Sequence, residues 1–283
     1  MATDPTSDVI QIDGQIIERV AQPADISDLQ ELVREVNANN QHAVIVGGGT
    51  RLTYGNVGGP FDIAISLTEL NRVVEYEPED LTISVEAGCT LSKLNATLAE
   101  HGQQLVIDAA LPTRSTIGGA FASGLSGPRR LGYGALKESA LGIETVTATG
   151  GVSKAGGMVV KNVTGYDMMR LHYGALGAFG VITRLNFKVT PRPVSVMRMT
   201  SAFGSAAHSY DAGVAMLGSG VELTALYATA HDERHWQLHA IVEGGEAAVE
   251  RQASLLNEIA RVRHGDVTTD LLDASMAPEM LSF

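Results

Sequence analysis

Ala43-Val44-Ile45-Val46-Gly47-Gly48-Gly49-Thr50-Arg51-Leu52 is the stretch from which the fold can be read. Its apolar start, rich in β-branched residues, suits a buried strand. The glycines that follow allow a sharp turn and leave no Cβ in the way of a ligand. Successive exposed N–H groups in such a turn form an anion-binding concavity, and the Thr50 hydroxyl adds a donor. The stretch reads as a phosphate cradle. A strand followed by a tight turn is the competing reading, and the neighbouring sequence has to decide.

Upstream, a tail and a short hairpin (Val9-Ile10-Gln11-Ile12 and Ile16-Ile17 around Asp13-Gly14) precede a helix. Ser27 with Gln30 has the form of a capping box, and Ile26, Leu29, Leu32, Val33 and Val36 recur at helical spacing. The order helix, then strand, puts the glycines at the C-terminal end of the strand. Downstream, Arg51 to Pro60 is loop chemistry. A Rossmann fingerprint needs its glycine loop to open a helix, and a Walker loop needs a Gly-Lys-Ser/Thr end. Neither is present.

Further strands are expected at Asp62–Ser66, Arg72–Tyr76 and Leu81–Glu86, the last alternating so that one face is buried. A helix follows from Leu91, with Thr90 as its cap and Gly102 at its end. Pro112 to Gly124 is a second glycine-rich region, with hydroxyls at Thr113, Ser115, Thr116 and Ser123 beside the glycines. Gly127 to Gly134 holds the adjacent pair Arg129-Arg130, which could clamp phosphate in a bidentate way or lie in an exposed surface loop. Gly150-Gly151 reads as a hairpin turn, and Val181 to Val189 as a half-buried strand. Pro191-Arg192-Pro193 reads as a boundary.

Beyond it the style changes. Strand Val196–Thr200, a helix at Ser205–Leu217, strands Val221–Ala228 and Trp236–Glu243, and a helix from Glu246 to Arg263 follow the order of a ferredoxin-like unit. Its last strand, Asp266–Thr269, is weak or absent in this reading. His231, His235 and His239 are spaced by four, but a hairpin there disfavours a metal site, and no metal is expected.

Composition narrows the function. The protein has 283 residues, 45% hydrophobic and 18% charged, enough for a sizeable core. A net charge of −12 argues against nucleic acid, which needs clustered Lys and Arg. It leaves room for one pyrophosphate held by backbone amides. No apolar run approaches a membrane span, and the acidic, polar start carries no signal-peptide pattern, so a cytoplasmic protein is expected. The single cysteine, Cys89, excludes an iron–sulfur cluster held by this polypeptide alone.

With both glycine regions placed, the sequence resembles the flavin-binding domain of the vanillyl-alcohol oxidase / p-cresol methylhydroxylase (PCMH) superfamily. Within it, the sequence is most similar to the E-subunit family of bacterial glycolate oxidases. The residues that carry this are Gly47-Gly48-Gly49-Thr50, Ser115-Thr116-Ile117-Gly118-Gly119, Gly124 to Arg130, Val159 to Asp167, Arg170-Leu171 and Gly174 to Thr183. The Gly-Pro-Arg-Arg segment at 127–130 favours the E subunit over the D-lactate and D-2-hydroxyglutarate dehydrogenases that work as one polypeptide, which typically show Asn-Ala-Gly-Gly there.

The resemblance implies an α+β fold. A two-subdomain PCMH-type FAD-binding domain spans 1–190 (subdomains 24–108 and 109–190). A partial ferredoxin-like cap domain follows at 191–283. It implies FAD bound by Gly47, Gly48, Gly49, Thr50, Arg51 and Leu52; by Pro112, Ser115, Thr116, Ile117, Gly118, Gly119, Ala122 and Ser123; by Arg129 and Tyr133; and by Gly180, Val181 and Ile182. Some relatives attach FAD covalently through a histidine in the first loop. Thr50 stands there, so the cofactor is expected to be non-covalent. The implied activity is oxidation of a small 2-hydroxy acid such as glycolate within a heteromeric complex. The implied partners are a D-type flavin subunit and an iron–sulfur subunit, through which the protein could be membrane-associated. A non-catalytic, assembly-type FAD subunit and a stand-alone alcohol or lactone oxidase are the alternatives. No catalytic residue is assigned; Lys161, Tyr166 and His172 are candidates by residue type alone. Fuller relatives continue beyond the point matching Phe283, so the expectation is a short form or a missing C-terminal end.

Overall fold

A computed structural model describes residues 9–56, 58–159 and 166–272. The fold opens with strands β1 (Ile10–Ile12), β2 (Gln15–Ile17) and β3 (Val20–Ala21), then helix α1 (Ile26–Ala38). Strands β4 (Ala43–Val46), β5 (Ile63–Ser66), β6 (Val73–Glu77) and β7 (Thr82–Glu86) lead to α2 (Leu91–Ala99) and β8 (Gln103–Gln104). Two short helices follow, α3 (Ile117–Ala122) and α4 (Arg130–Tyr133), then β9 (Ala140–Val146), β10 (Val152–Gly156), α5 (Met168–His172), β11 (Val181–Lys188) and β12 (Thr190–Pro191). The last stretch is β13 (Ser195–Phe203), α6 (Ala206–Leu217), β14 (Leu223–Asp232), β15 (His235–Gly244), α7 (Glu246–Val262) and β16 (Asp266–Leu272).

These elements form two compact units. One holds residues 1–105, 109–125 and 136–190; the other holds 106–108, 126–135 and 191–283. The last boundary between them falls after Thr190. The segments 106–108 and 126–135 belong to the second unit although they precede that point.

In the first unit, β3, β5 and β4 form a parallel sheet with β5 in the middle. Helix α1 buries Leu29, Val33 and Val36. Its N-cap is Asp25, whose side chain accepts from the Asp28 N–H at 2.9 Å. Ser27 therefore lies inside the helix, and the capping box expected from Ser27 and Gln30 is not formed. Gln30 instead donates through Nε2 to the Gly150 carbonyl at 2.7 Å, tying the helix to the β9–β10 turn. A five-stranded antiparallel sheet runs in the order β10-β9-β11-β7-β6. All five residues of β7 are buried, so the alternation at 81–86 marks a strand covered on both faces and not the single buried face expected. The buried Glu86 carboxylate on β7 is held by Arg72, Nη2 to Oε1 at 2.7 Å. Burial alone would raise its pKa; the hydrogen bonds and charge of Arg72 outweigh this and hold it below the ordinary carboxylate range.

The second unit is a four-stranded antiparallel sheet, order β14-β15-β13-β16, with α6 and α7 packed on one face. That order is ferredoxin-like. Strand β16 pairs with β13 over seven residues, so the unit has its fourth strand and the expectation of a weak or missing one is corrected. Its charged and hydroxyl side chains belong to an exposed edge strand, which weakens the apolar alternation.

Candidate functional site

The cradle stretch folds as strand then loop. β4 ends at Val46, and the backbone from Gly47 to Gly59 forms no helix over its described residues. Gly48 and Gly49 are buried, and Gly49 has φ +65°, a left-handed conformation that favours glycine. Among the described residues, none accepts a hydrogen bond from the backbone N–H groups of Gly48, Gly49, Thr50 or Arg51. Buried backbone donors are paired in the great majority of cases. Successive unpaired ones beside a cleft are a site prepared for an acceptor.

The facing wall is the segment 110–123. The Ser115 hydroxyl donates to the Ala110 carbonyl at 2.8 Å, and Thr50 Oγ1 lies 3.1 Å from Ser115 Oγ. Since the one Ser115 proton goes to Ala110, Thr50 is the donor in the second bond. Its hydroxyl ties the loop to this wall and is not the spare donor that the sequence led us to expect. Arg114 Nη2 donates to the Gly48 carbonyl at 3.3 Å, a second tie. Thr116 caps α3, accepting from the Gly119 N–H at 3.3 Å. The Ile117 N–H goes to the Cys89 carbonyl and the Gly118 N–H to the Ala87 carbonyl, at 2.9 and 2.8 Å. The donors at the start of α3 are therefore satisfied by protein. Gly118 and Gly119 present bare backbone to the cleft, and the unpaired donors are those of the first loop.

Between loop and wall lies a cleft of about 220 Å³ lined by Gly47 to Leu52, Ser115, Thr116, Gly119, Ala122 and Ser123. A smaller pocket of about 60 Å³ shares Gly47, Thr116, Gly119 and Ala122 and reaches Gly118, Gly180 and Ile182. At that end β11 extends past its neighbour, because β7 pairs with it only from Arg184 onward. This leaves one backbone edge of Val181 and Ile182 beyond the sheet. Arg51 is half-buried at the cleft, its guanidinium without a hydrogen bond or ion pair among the described residues. Burial lowers its pKa from the ordinary arginine value, while Tyr54 opposes the shift. A guanidinium stays charged under such a shift.

Other expected residues are not among those lining the two pockets. Ile117 and Val181 are buried side chains of the core. Pro112 accepts a bond from the Ser92 N–H and lines neither pocket. Arg129 and Tyr133 belong to the second unit. Arg129 is fully buried in an ion pair with Asp108, Nε to Oδ1 at 2.6 Å, and its backbone N–H also reaches Oδ2 at 2.8 Å. The Tyr133 hydroxyl donates to Glu243, whose pKa is raised by burial although this bond and Arg129 oppose the shift.

Of the candidate catalytic residues, Lys161 lies outside the described residues. Tyr166 is 93% exposed, and His172 is buried. The three spaced histidines go separate ways. His231 is exposed, His235 pairs with Asp232 at 2.6 Å, and His239 bonds to Thr200 and Thr229. The cleft also contains Ile12, Asp13, Tyr54, Asn56, Phe61 and Leu176, which the sequence did not assign to a site. Leu176 had a visible signal, since it stands inside the glycine-rich run 174–180. The others come from a hairpin and a loop that carry no motif.

Comparison with known proteins agrees with this geometry. Residues 17–156 match the model of a family described as FAD binding domain. A D-2-hydroxyglutarate dehydrogenase of Xanthomonas citri pv. viticola is 31% identical over 180 residues, 63% of this chain and 38% of that protein. Glycolate oxidase subunit GlcE of Escherichia coli is 34% identical over 168 residues, 58% of this chain and 47% of that protein. The match thus spans less than half the length of either relative. Among solved structures, an alkyldihydroxyacetonephosphate synthase has the same fold, with TM-score 0.74 at 18% identity over 92% of this chain and 54% of that one. Through residues 17–156, the chain is therefore similar to the FAD binding domain family.

Proposed function

We propose that the protein is the FAD-binding subunit of a glycolate (2-hydroxy acid) oxidase or dehydrogenase complex. The observation that carries the reading is the run of N–H groups from Gly48 to Arg51 that find no acceptor among the described residues, beside an open cleft with the Arg51 charge next to it. Those groups fit the diphosphate of FAD. Gly118, Gly119, Ala122, Gly180 and Ile182 fit its less polar end, because they offer backbone and small apolar surface without competing charge. Bound FAD supplies a two-electron acceptor for a carbon bearing a hydroxyl. The residues of this protein fix the anionic end of the cofactor and exclude water along the cleft. Thr50 stands where some relatives carry the histidine that attaches flavin, and its hydroxyl is engaged with Ser115, so the cofactor is non-covalent; mass spectrometry of the denatured protein is expected to show no added FAD mass.

The likeness to subunits named for glycolate oxidase supports the substrate class and a heteromeric setting. A D-type flavin subunit and an iron–sulfur subunit are the partners of this reading. The one cysteine here is buried, with its pKa raised by burial, which the nearby Lys93 opposes. A cluster relaying electrons would therefore need ligands from outside these 283 residues. No described helix is long and apolar enough to cross a membrane.

A second reading is an assembly subunit that holds FAD without reacting. It is favoured by one fact: among the described residues lining the two pockets there is no histidine or lysine to take a proton. Anaerobic addition of glycolate and a panel of 2-hydroxy acids to the purified full-length protein separates the two. Bleaching of the flavin absorbance supports the first reading. Retained FAD without bleaching supports the second, and a protein that takes up no FAD overturns both.

A further inference from the structure

Helix α6 of the second unit carries two apolar stripes. One, with Ala212 and Met216, is buried in the core beneath it. The other, Tyr210, Val214 and Leu217, recurs at i, i+4 and i+7 and is 72%, 51% and 54% exposed. This second stripe forms one wall of a groove of about 380 Å³. Leu226 and Ala228 of β14, with Trp236 and Leu238 of β15, line it from the sheet. No residue lining the groove carries a charge.

β14 is the outermost strand of its sheet on that side, and among the described residues no strand pairs with its outer edge. Helix α4 lies against its start, where a Cβ built on Gly132 would stand 2.9 Å from Thr224 Cα. Beyond that point, from Leu226 to Ala230, the strand has neither a charge nor a proline, the usual guards of a sheet edge. Ala228 and Ala230 are exposed. An unguarded edge and an apolar groove therefore lie side by side.

We propose that this face binds a second copy of the chain, β14 against β14 about a two-fold axis, with the two α6 stripes meeting over the joined strands and filling the groove. A two-fold interface needs a surface that complements itself, and here each copy presents both stripe and groove. The charge fits as well. A net charge of −12 repels a second copy over most of the surface, whereas the groove is neutral. At the ends of the face the charges are opposite. An axis through Ala228 sets Leu226 opposite Ala230 of the second copy, which keeps the groove sides of both strands together, since Ala230 stands opposite Trp236. The same count brings Glu222 level with Arg234 in the hairpin turn of the second copy. Both residues are exposed. Of the other charges in that turn, Asp232 is engaged by His235 at 2.6 Å, and Glu233 comes level with Leu223. The groove shares no residue with the flavin cleft, so the interface stands apart from the functional reading.

The test is sedimentation velocity of the full-length protein at low salt over a roughly hundredfold range of concentration, across which the mass is expected to rise from one copy to two. Val214→Glu puts a charge on each side of the axis and is expected to raise the dimer dissociation constant at least about tenfold. Val214 is half exposed, so the change spares the core. Circular dichroism checks folding, and Leu217→Lys takes its place if the Glu variant does not fold. Glu222→Arg sets like charges level with each other twice per dimer and should weaken the dimer about fivefold. Adding Arg234→Glu restores the opposite charges and should return the constant to within about twofold of the original. A monomer at every concentration, whatever else the face binds, overturns the interface. A dimer unchanged by the charge on α6 overturns it too, as does a double variant no tighter than Glu222→Arg alone.

Discussion

Gly48 lies directly against the backbone of Arg114: a Cβ built on Gly48 would stand 1.6 Å from the Arg114 carbonyl oxygen. The obstacle is backbone, so no flexible side-chain end can move aside. The glycine is there so that the loop can pack on the wall of the cleft, with Arg114 returning a hydrogen bond to the Gly48 carbonyl. Gly48→Ala must push the loop away from that wall. We expect a loss of stability of about 1–3 kcal/mol, as for overpacking, together with a fall in bound flavin. Thermal unfolding and the flavin-to-protein absorbance ratio check both. Full flavin content with an unchanged melting temperature would contradict the loop's packing role.

The start of α1 offers a cleaner comparison. Asp25 caps the helix through the Asp28 N–H, whereas Ser27 is one of its first residues. Asp25→Ala should cost about 1 kcal/mol, the usual loss for a capping side chain. Ser27→Ala should change stability by less than about 0.5 kcal/mol, as for a surface position without a special role. Urea unfolding of both variants decides, and the reverse ranking would restore the capping box at Ser27.

These two sites show what the sequence could and could not reveal. Val44 to Val46 and the following glycines were legible because strand and turn chemistry are local. The ferredoxin-like order was legible because apolar strand segments alternate with helical ones and α7 keeps a clear apolar period, whereas α6 buries Ser209 and Gly213 and carries little of one. The cap was missed because Asp25 and Ser27 both have the residue type, and only backbone geometry chooses between them. The two-sided burial of β7 was hidden because Thr82, Ser84 and Glu86 are polar residues buried by sheet neighbours far along the sequence. The roles of Thr50, Gly118 and Gly119 were open in the same way. A hydroxyl or N–H beside a glycine looks available until its acceptor is known, and Ser115, Ala87 and Thr116 are those acceptors.

Arg129 makes the same point with a larger energy. It resembled a phosphate-binding arginine in sequence, yet it and Asp108 are 2% and 3% exposed and pair with each other. Arg129→Met leaves the Asp108 charge buried without its partner, which is expected to cost about 3–5 kcal/mol. Converting both residues together, Arg129→Met with Asp108→Leu, should recover much of that loss, since a buried pair replaced by apolar side chains is often neutral. Some loss should remain, because the Arg129 N–H also loses its acceptor. Denaturant midpoints of the single and double variants test this. A single variant as stable as the original protein would show that the pair is not a buried anchor.

His172 sets an expected response to acid. It is 3% exposed at the end of α5, with its ring edge-on to Phe179 at 6.4 Å, and burial lowers its pKa from the ordinary histidine value. The folded protein therefore holds His172 neutral where the unfolded one would bind a proton. Its contribution to stability is fully present above the unfolded pKa of about 6.5 and is lost as pH falls below that value toward the lowered folded one. The slope from this one proton is at most about 1.4 kcal/mol per pH unit. His172→Phe removes the titration and keeps an aromatic ring beside Phe179. Melting temperatures measured from pH 7.5 to 5 should fall less steeply for the Phe variant than for the original protein. Parallel curves would mean that His172 is protonated in the folded state at the same pH as in the unfolded one.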